Sequence, residues 1–228
     1  ALVAVLLGVW VYGTWFGVTR VAFVNFQSIS MGSIAKANDN PMVKVYEVGP
    51  DELDELTGYD MVFVNGMGLG IVAGQRAQIQ RAARRGVPVY TTMATNPANN
   101  ICSTDSLHAA KLAAYLGGGR RNYRNMLNYI RQEIDGKIGH TPEVEEPVER
   151  ASDILYHAGV QSPEEEAEFL TVADYEKFLR DNGLYKEGAR RIAVTGQMAD
   201  ATGLIAALEK AGYNVYPVSS LRKVMDFL

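Results

Sequence analysis

DMVFVNG at residues 60–66 and RVAFVNF at residues 20–26 are the two stretches that decide the fold. Each begins with a charged residue and continues as a short apolar run of β-branched and aromatic side chains. Such a run is typical of a parallel strand that is buried on both of its faces. Helical patterns follow the two runs, at 28–37 and 74–85. This alternation predicts a parallel sheet that is covered by helices and connected by right-handed crossovers.

The pattern continues to a predicted connector and then begins again. Residues 135–150 are rich in glycine, proline and glutamate, which is typical of a connector between two domains. The sequence therefore predicts one α/β domain at 20–134 and the start of a second at 151–228. Together they form two Rossmann- or flavodoxin-like α/β units with parallel sheets, the second incomplete and the whole a fragment of a longer chain. The other predicted elements are strands at 44–48, 87–93, 191–196 and 214–219, and helices from Pro50 and at 104–116, 122–134, 174–181 and 199–211.

The first 19 residues, ALVAVLLGVWVYGTWFGVT, carry no charged side chain. A helix of this length measures about 28 Å, close to the roughly 20 residues that span a bilayer. Trp10, Tyr12 and Trp15 suit a membrane interface, and Arg20 ends the segment. The alternatives are a cleaved signal peptide, whose apolar region is usually shorter, and a buried core helix. We predict a single-pass transmembrane anchor at 1–19 in the inner (cytoplasmic) membrane, with the main body on the periplasmic side.

Composition and charge exclude several classes of site. The chain has 228 residues, 47% of them hydrophobic, and a formal net charge of -4. This charge argues against nucleic-acid binding, and the cluster Arg120, Arg121 and Arg124 is too small to reverse it. The single cysteine, Cys102, excludes an intrachain disulfide and a multi-cysteine metal site within the chain.

Four segments of the chain, which include VFVNGMG at 62–68, AYLGGGRRNYRNMLNYI at 114–130, ILYH at 154–157 and RIAVTG at 191–196, belong together. In order and spacing they resemble segments of the large subunit of cobaltochelatase (CobN) and of the H subunit of magnesium chelatase. The most specific is AYLGGGRRNYRNMLNYI at 114–130, which looks like that family's tyrosine–leucine, glycine, asparagine and leucine-rich helix segment. Ala158 stands where the family usually has a proline after tyrosine and histidine. The other similar segments are VFVNGMG at 62–68 with GVPV at 86–89, ILYH at 154–157 with the helix from 174, and RIAVTG at 191–196 with 202–218.

The resemblance implies a chelatase that handles metal ions in tetrapyrrole macrocycles, with most of the catalytic body beyond Leu228. The predicted anchor favours the membrane-anchored heme dechelatases of the HmuS type, which are implied to remove iron from heme and leave protoporphyrin. The alternative within the family is insertion of cobalt into a corrin, with ATP and AAA+ motor subunits as partners. For the dechelatase, heme transport components are the implied partners.

Candidate site residues follow from the fold, because ligands of open α/β sheets bind beyond the carboxyl ends of the strands. His157 follows an apolar strand and is the candidate catalytic residue, since a neutral imidazole can ligate iron or relay protons. Packing or hydrogen bonding at a strand end is the alternative explanation for it. The candidate macrocycle-binding residues are Met67, Gly68, Met93, Asn96, Arg120 and Arg121.

These binding candidates have distinct chemical roles. Methionine side chains adapt to flat apolar rings, and Gly68 allows close approach to the backbone. Arg120 and Arg121 could pair with macrocycle propionates, although a solvated helix start explains them as well. No set of residues is assigned to a resident metal.

A function of a different class also fits the sequence. Two α/β units joined by a connector can form a ligand clamp, so a non-catalytic heme- or tetrapyrrole-binding module is the second hypothesis. A flavodoxin-like electron carrier is disfavoured because no loop has a phosphate-binding pattern after the first strand.

Overall fold

A computed structural model describes residues 2–49, 51–67, 71–149, 153–158, 160, 166–195 and 202–225. The chain forms two compact units. The first contains Ala1–Gly118 and Asn122–Val148, and the second contains Gly119–Arg121 and Glu149–Leu228. Residues of the predicted connector up to Val148 thus lie in the first unit.

The first unit contains four strands and five helices among its described residues. The helices are α1 (Leu2–Phe16), α2 (Ser28–Ala37), α3 (Ala73–Arg84), α4 (Ser106–Tyr115) and α5 (Arg120–Tyr129), of which the first two residues of α5 belong to the second unit. The strands are β1 (Thr19–Val24), β2 (Val43–Val48), β3 (Met61–Gly66) and β4 (Val89–Ala94). Short 3-10 helices lie at Leu53–Gly58 and Pro97–Asn99, and a π-helix at Ile130–Ile134 continues α5.

The four strands form one parallel sheet in the order β2-β1-β3-β4, which confirms the predicted parallel α/β fold. Alternate residues of β1 and β3 point to opposite faces and are buried on both, as in Ala22 and Phe23. Helices α2, α4 and α5 cover the face of Phe23, where its ring stacks on Phe63 with centroids 4.8 Å apart. Helix α3 and the segment Leu53–Gly58 cover the face of Ala22.

A buried arginine forms a hydrogen-bond network at the amino edge of this sheet. Arg131 is fully buried, and its Nη1 donates to the Gly17 carbonyl at 2.8 Å and to the Thr19 hydroxyl at 3.0 Å. The Thr19 hydroxyl donates in turn to the Asp135 carboxylate at 2.6 Å. Burial lowers the pKa of Arg131, although Asp135 opposes this shift. The network joins the beginning of β1 to the end of the α5 region.

The second unit differs from its prediction in its strand pairing. Strands β7 (Arg191–Val194) and β8 (Asn214–Pro217) are parallel and flank α7 (Thr202–Lys210), as predicted. However, β5 (Leu155–Ala158) pairs antiparallel with β6 (Glu166–Phe169), so the prediction of a second parallel unit was wrong in this part. Strand β6 was missed because its sequence, EAEF, is short and half charged. The remaining helices are α6 (Val172–Asp181) and α8 (Leu221–Val224).

The prediction of a transmembrane helix at 1–19 was wrong. Helix α1 has 15 residues, so it is about 22 Å long, against about 30 Å for the hydrocarbon core of a bilayer. The chain leaves the helix after Phe16, and Thr19 already pairs with β2 as the first residue of β1. Among the residues that the structure describes, no helix is both long enough and apolar enough to cross a membrane.

Candidate functional site

The carboxyl edge of the four-stranded sheet has a switch point between β1 and β3. Helix α2, which follows β1, and helix α3, which follows β3, lie on opposite faces, so the two loops diverge there. Asn25 bridges this point in a left-handed backbone conformation with φ 59°. Its Nδ2 donates to the carbonyls of Asn65 at 2.8 Å and Met67 at 3.2 Å. The crevice in which this fold usually binds ligands is therefore bridged by an asparagine side chain.

A cavity of about 200 Å³ lies beside Asn25, toward β2. Polar groups reach it from Asn25, Glu47 and Gln75, and the apolar side chains of Val24, Val48 and Ile71 complete much of its wall. Sites for drug-sized molecules usually measure about 300–1,000 Å³. This cavity is therefore too small to enclose a tetrapyrrole macrocycle.

Three of the sequence-predicted candidates lie together at the ends of β3 and β4. Gly66 pairs with Ala94, which brings Met67 and Met93 to neighbouring strand ends, and both methionine side chains are about half exposed. A Cβ on Gly66 would lie 2.5 Å from the Met93 carbonyl, so only glycine permits this approach. Asn96 caps the short helix Pro97–Asn99 by accepting a hydrogen bond from the Ala98 amide. Gly68 lies outside the described residues.

Arg120 and Arg121 stand at the beginning of α5 and belong to the second unit, apart from the candidates of the first. Arg121 is exposed and Arg120 is partly buried. Both side chains have interaction partners in the structure. The structure therefore divides the candidate binding residues between the two units.

Sequence reasoning missed a row of three buried asparagines on α5. Asn122, Asn125 and Asn128 are three residues apart, so they share one stripe of the helix, and each is at most 3% exposed. The Asn122 side chain donates to the Val148 carbonyl at 2.8 Å and accepts from the Val148 amide at 3.0 Å. Asn125 accepts from the Glu145 amide at 3.0 Å. The asparagine side chains thus form hydrogen bonds with backbone groups of Glu145 and Val148, as the backbone of a neighbouring strand would.

The partner of this row is the segment 140–148, here called the strap. Besides the asparagine contacts, the Tyr115 hydroxyl donates to the Glu145 carbonyl at 2.6 Å, and Lys111 forms an ion pair with Glu146. Burial, together with Glu146, raises the pKa of Tyr115 to about 12, so the hydroxyl remains a donor at neutral pH. The sequence signal for this row was the recurrence of asparagine every three residues on a predicted helix. Asparagine is a poor helix former, so such a repeat indicates that the side chains have partners.

His157 lies in a closed polar pair in the second unit. It is 6% exposed, and its Nε2 lies 2.8 Å from Glu209 Oε1 while its Nδ1 lies 2.6 Å from the Ala158 carbonyl oxygen. Both contacting oxygens can accept hydrogen bonds, so the arrangement suits a protonated imidazole that donates from both ring nitrogens. Burial alone would lower the pKa of His157, but the hydrogen bonds to Glu209 and Ala158 outweigh it and raise the pKa. Neither nitrogen has a lone pair available for a metal ion in this arrangement.

The described residues contain no group of three or more His, Cys, Asp and Glu side chains placed to hold a metal ion. Their polar clusters stabilise each unit internally, through the strap contacts in the first unit and the His157–Glu209 pair in the second. Among the sequence-predicted candidates, Arg121 is an exposed cation of the second unit, and Met67 and Met93 are exposed methionines at the edge of the first sheet.

Comparison with known proteins identifies a family and a similar solved structure. Residues 113–226, half of the 228-residue chain, match the profile of a family described as CobN/Magnesium Chelatase. The matched region contains the segments at 114–130, 154–157 and 191–196, whereas 62–68 and 86–89 lie outside it. No curated protein matches the sequence.

One similar solved structure is the Catalytic Subunit of Cobaltochelatase from Mycobacterium tuberculosis. The TM-score is 0.55 and the sequence identity is 16%, so the similarity shows a shared fold. It covers 88% of this chain but 16% of that chain. The chain therefore spans about a sixth of the length of that subunit.

Proposed function

Because the chain belongs to the CobN/magnesium chelatase family, we propose that it is part of an enzyme that moves a metal ion into or out of a tetrapyrrole macrocycle. The observation that carries this proposal is the family match over residues 113–226. The macrocycle and its metal ion are substrates and products in this reaction. The matched region includes α5, the strap and the second unit, so we assign contact with the macrocycle to this part of the chain.

Removal of iron from heme is the direction that we favour. In this reaction the macrocycle gains two protons on its pyrrole nitrogens as ferrous iron leaves, and protoporphyrin is the product. The support is the exposed apolar surface of α1, whose side chains include Val3 and Trp10 at 73% and 67% exposure. Exposed apolar surfaces of this kind mark sites of interaction with other proteins or membranes, and the transport components that supply heme are partners of this class.

Insertion of cobalt into a corrin is the second candidate. It is supported by the similarity of fold to the catalytic subunit of a cobaltochelatase. This reaction would use ATP and motor subunits, whereas heme dechelation would need a source of heme and a reductant.

Arg121 is the residue that we propose to contact the carboxylates of the macrocycle. It is exposed, it lies at the beginning of α5 within the matched region, and a guanidinium group can hold a carboxylate with two parallel hydrogen bonds. Arg120 precedes it and is the second candidate for the same role.

The experiment uses the full-length protein, incubated anaerobically with heme and a reductant while absorbance and porphyrin fluorescence are followed. Protein-dependent formation of protoporphyrin supports the dechelatase. Cobalt uptake by a metal-free corrin, on addition of ATP and motor subunits, would instead support insertion of cobalt into a corrin. Tight binding of unchanged heme without either reaction would favour a non-catalytic binding module.

A pair of arginine variants tests the proposed contact. Arg121→Ala should raise KM about tenfold or more with a smaller change in kcat, because a charge-assisted hydrogen bond is worth about 1.5–3 kcal/mol. Arg84→Ala is the matched control, since Arg84 is an exposed helical arginine outside the family match. Equal effects of both substitutions would remove Arg121 from the site.

A further inference from the structure

The last turn of α1 is held by residues 137–139, here called the clip. Lys137 Nζ donates to the carbonyls of Gly13 and Thr14, each at 3.0 Å. Lys137 is only 9% exposed, so it supplies a buried cation to the last turn of the helix, where carbonyls lack partners of their own. The clip therefore stabilises the carboxyl end of α1 through a charged donor.

Two further contacts of the clip fix the same turn of α1. The Ile138 amide donates to the Trp15 carbonyl at 3.0 Å. Gly139 lies so close to Phe16 that a Cβ at this position would be 2.8 Å from the ring. A side chain at residue 139 would therefore push the end of α1 away from the clip, and only glycine permits the close contact.

The strap begins directly after the clip, at His140, whose backbone is left-handed with φ 52°. This conformation is unfavourable for a residue with a side chain, and it persists only where the surrounding structure holds it. The Asn40 side chain donates to the His140 carbonyl at 2.9 Å, and Arg131 Nε donates to the Gly139 carbonyl at 2.8 Å. His140 is thus a strained hinge between the clip and the strap, and two side-chain donors hold it in place.

The strap is held by side chains and not by a sheet or a helix. Among the described residues, no backbone–backbone hydrogen bond involves residues 140–148. The Val148 amide donates to Asn122 and the Glu145 amide donates to Asn125, each at 3.0 Å. Such contacts can open locally while the sheet stays folded. Opening of the strap would uncover the row of buried asparagines on α5.

We propose that the end of α1 and the strap form one latch, which opens and closes as a unit about the hinge at His140. The Arg131 guanidinium contacts both sides of the latch, since it donates to the Gly17 carbonyl after α1 and to the Gly139 carbonyl of the clip. Displacement of α1 would therefore move the clip and remove the support of the strained hinge. The coupling is reciprocal, so opening of the strap also loosens the end of α1. The latch controls exposure of the asparagine row and does not depend on the chelatase reaction.

The experiment measures hydrogen exchange of three single amides in the full-length protein. The Ile138 amide reports the docking of α1, and the Glu145 and Val148 amides report the closure of the strap. Lys137→Met removes the ammonium group that holds α1, so exchange of all three amides should become about tenfold faster or more, as expected for loss of a charged donor. Asn125→Ala acts from the other side of the latch, and it should speed exchange at Ile138 and Val148 by a common factor.

Two further variants act at the hinge and the clip. His140→Gly removes the strain of the left-handed backbone, so it should slow exchange of the three amides severalfold. Gly139→Ala crowds Phe16 and should speed their exchange. Gln75→Ala is the control, because the Gln75 side chain accepts from the Val72 amide at the beginning of α3 and should leave the three amides unchanged.

Other results would overturn the proposal. If Lys137→Met speeds exchange at Ile138 alone, or Asn125→Ala leaves Ile138 unchanged, the end of α1 and the strap open independently. Faster exchange in His140→Gly would mean that this residue is not a strained hinge. An equal rise in the amides of β1 and β3 would show that the whole unit unfolds and that no separate latch exists.

Discussion

The two units of the chain are stabilised in different ways. The sheet of the first unit depends on apolar strands, in which Val21, Ala22 and Phe23 are fully buried. The second unit has two sheets of two strands each, and specific polar contacts join its elements. The buried Tyr175 hydroxyl donates to the Val215 carbonyl at 2.8 Å, and His157 pairs with Glu209. We therefore expect the first unit to respond mainly to lost volume and the second to lost polar partners and to pH.

The largest expected effect is that of a cavity in the first unit. Phe63→Ala removes a fully buried ring that stacks on Phe23, so it should lower the free energy of unfolding by about 3–5 kcal/mol. Urea unfolding followed by circular dichroism measures the change. Leu107→Ala is the control and should change it by at most about 0.5 kcal/mol, because Leu107 is 74% exposed. A similar loss in both variants would mean that the sheet is not the core of the unit.

The next largest loss of stability is expected when the His157–Glu209 pair of the second unit is broken. His157→Ala leaves the Glu209 carboxylate, whose side chain is 16% exposed, without its cation and should cost about 3 kcal/mol. The double variant with Glu209→Gln should recover part of this loss, since the carboxylate is then absent. No recovery would show that the two side chains act independently.

The same pair predicts a dependence of stability on pH. The pKa of His157 is raised in the folded state, so its contribution is fully present below the unfolded pKa of about 6.5. The contribution is lost as pH rises through the folded pKa. Unfolding of the second unit, followed by hydrogen exchange of β5 and α7, should become easier in the wild type as pH rises above about 6.5 and through the raised folded pKa. His157→Ala should lack this difference, and an equal pH dependence in the variant would contradict the assignment.

A smaller effect is expected from a substitution that destabilises the strap and leaves the sheet of the first unit unchanged. Asn125→Ala removes the acceptor of the Glu145 amide from a buried position and should cost about 1–3 kcal/mol. Hydrogen exchange should rise in residues 140–148 and stay unchanged in β1 and β3. Asn65→Ala is the control, because Asn65 is only partly buried and contacts the loop after β3. Faster exchange across the whole sheet would show that the strap and the sheet unfold together.

The smallest expected effect concerns a helix cap in the second unit. The Thr171 hydroxyl accepts from the Asp174 amide at 3.1 Å at the beginning of α6. Thr171→Ala should cost about 1 kcal/mol, while Thr171→Ser should retain most of the stability because its hydroxyl can make the same bond. Thermal unfolding measures both. A larger loss for serine than for alanine would exclude the cap as the cause.

The sequence predicted the parts of the fold that depend on apolar pattern. The buried runs in β1 and β3 and the helix patterns of α2 and α3 are local features, so they could be recognised without the structure. The helix predicted after Pro50 is a short 3-10 helix at Leu53–Gly58. Strand β6 was missed because alternating glutamates gave no apolar pattern of useful length.

The polar arrangement of the candidate site could not be predicted in the same way. The contact of His157 with Glu209 joins residues 52 positions apart, and it depends on how α7 packs near β5. The strap has a composition typical of a loop, yet its backbone is paired by Asn122 and Asn125 of α5. Long-range polar pairs of this kind leave no periodicity in the sequence. The family match adds what local patterns lack, since it includes both of these arrangements.

The most direct test of the proposed function is hydrogen exchange of the full-length protein with and without protoporphyrin, a macrocycle that carries no metal. If residues 113–226 contact the macrocycle, exchange should slow in α5 and in elements of the second unit, and stay the same in β1 and β3. Slower exchange confined to residues 19–67, or no change in any part of the chain with macrocycle bound, would contradict the assignment of macrocycle contact to the family-matched region.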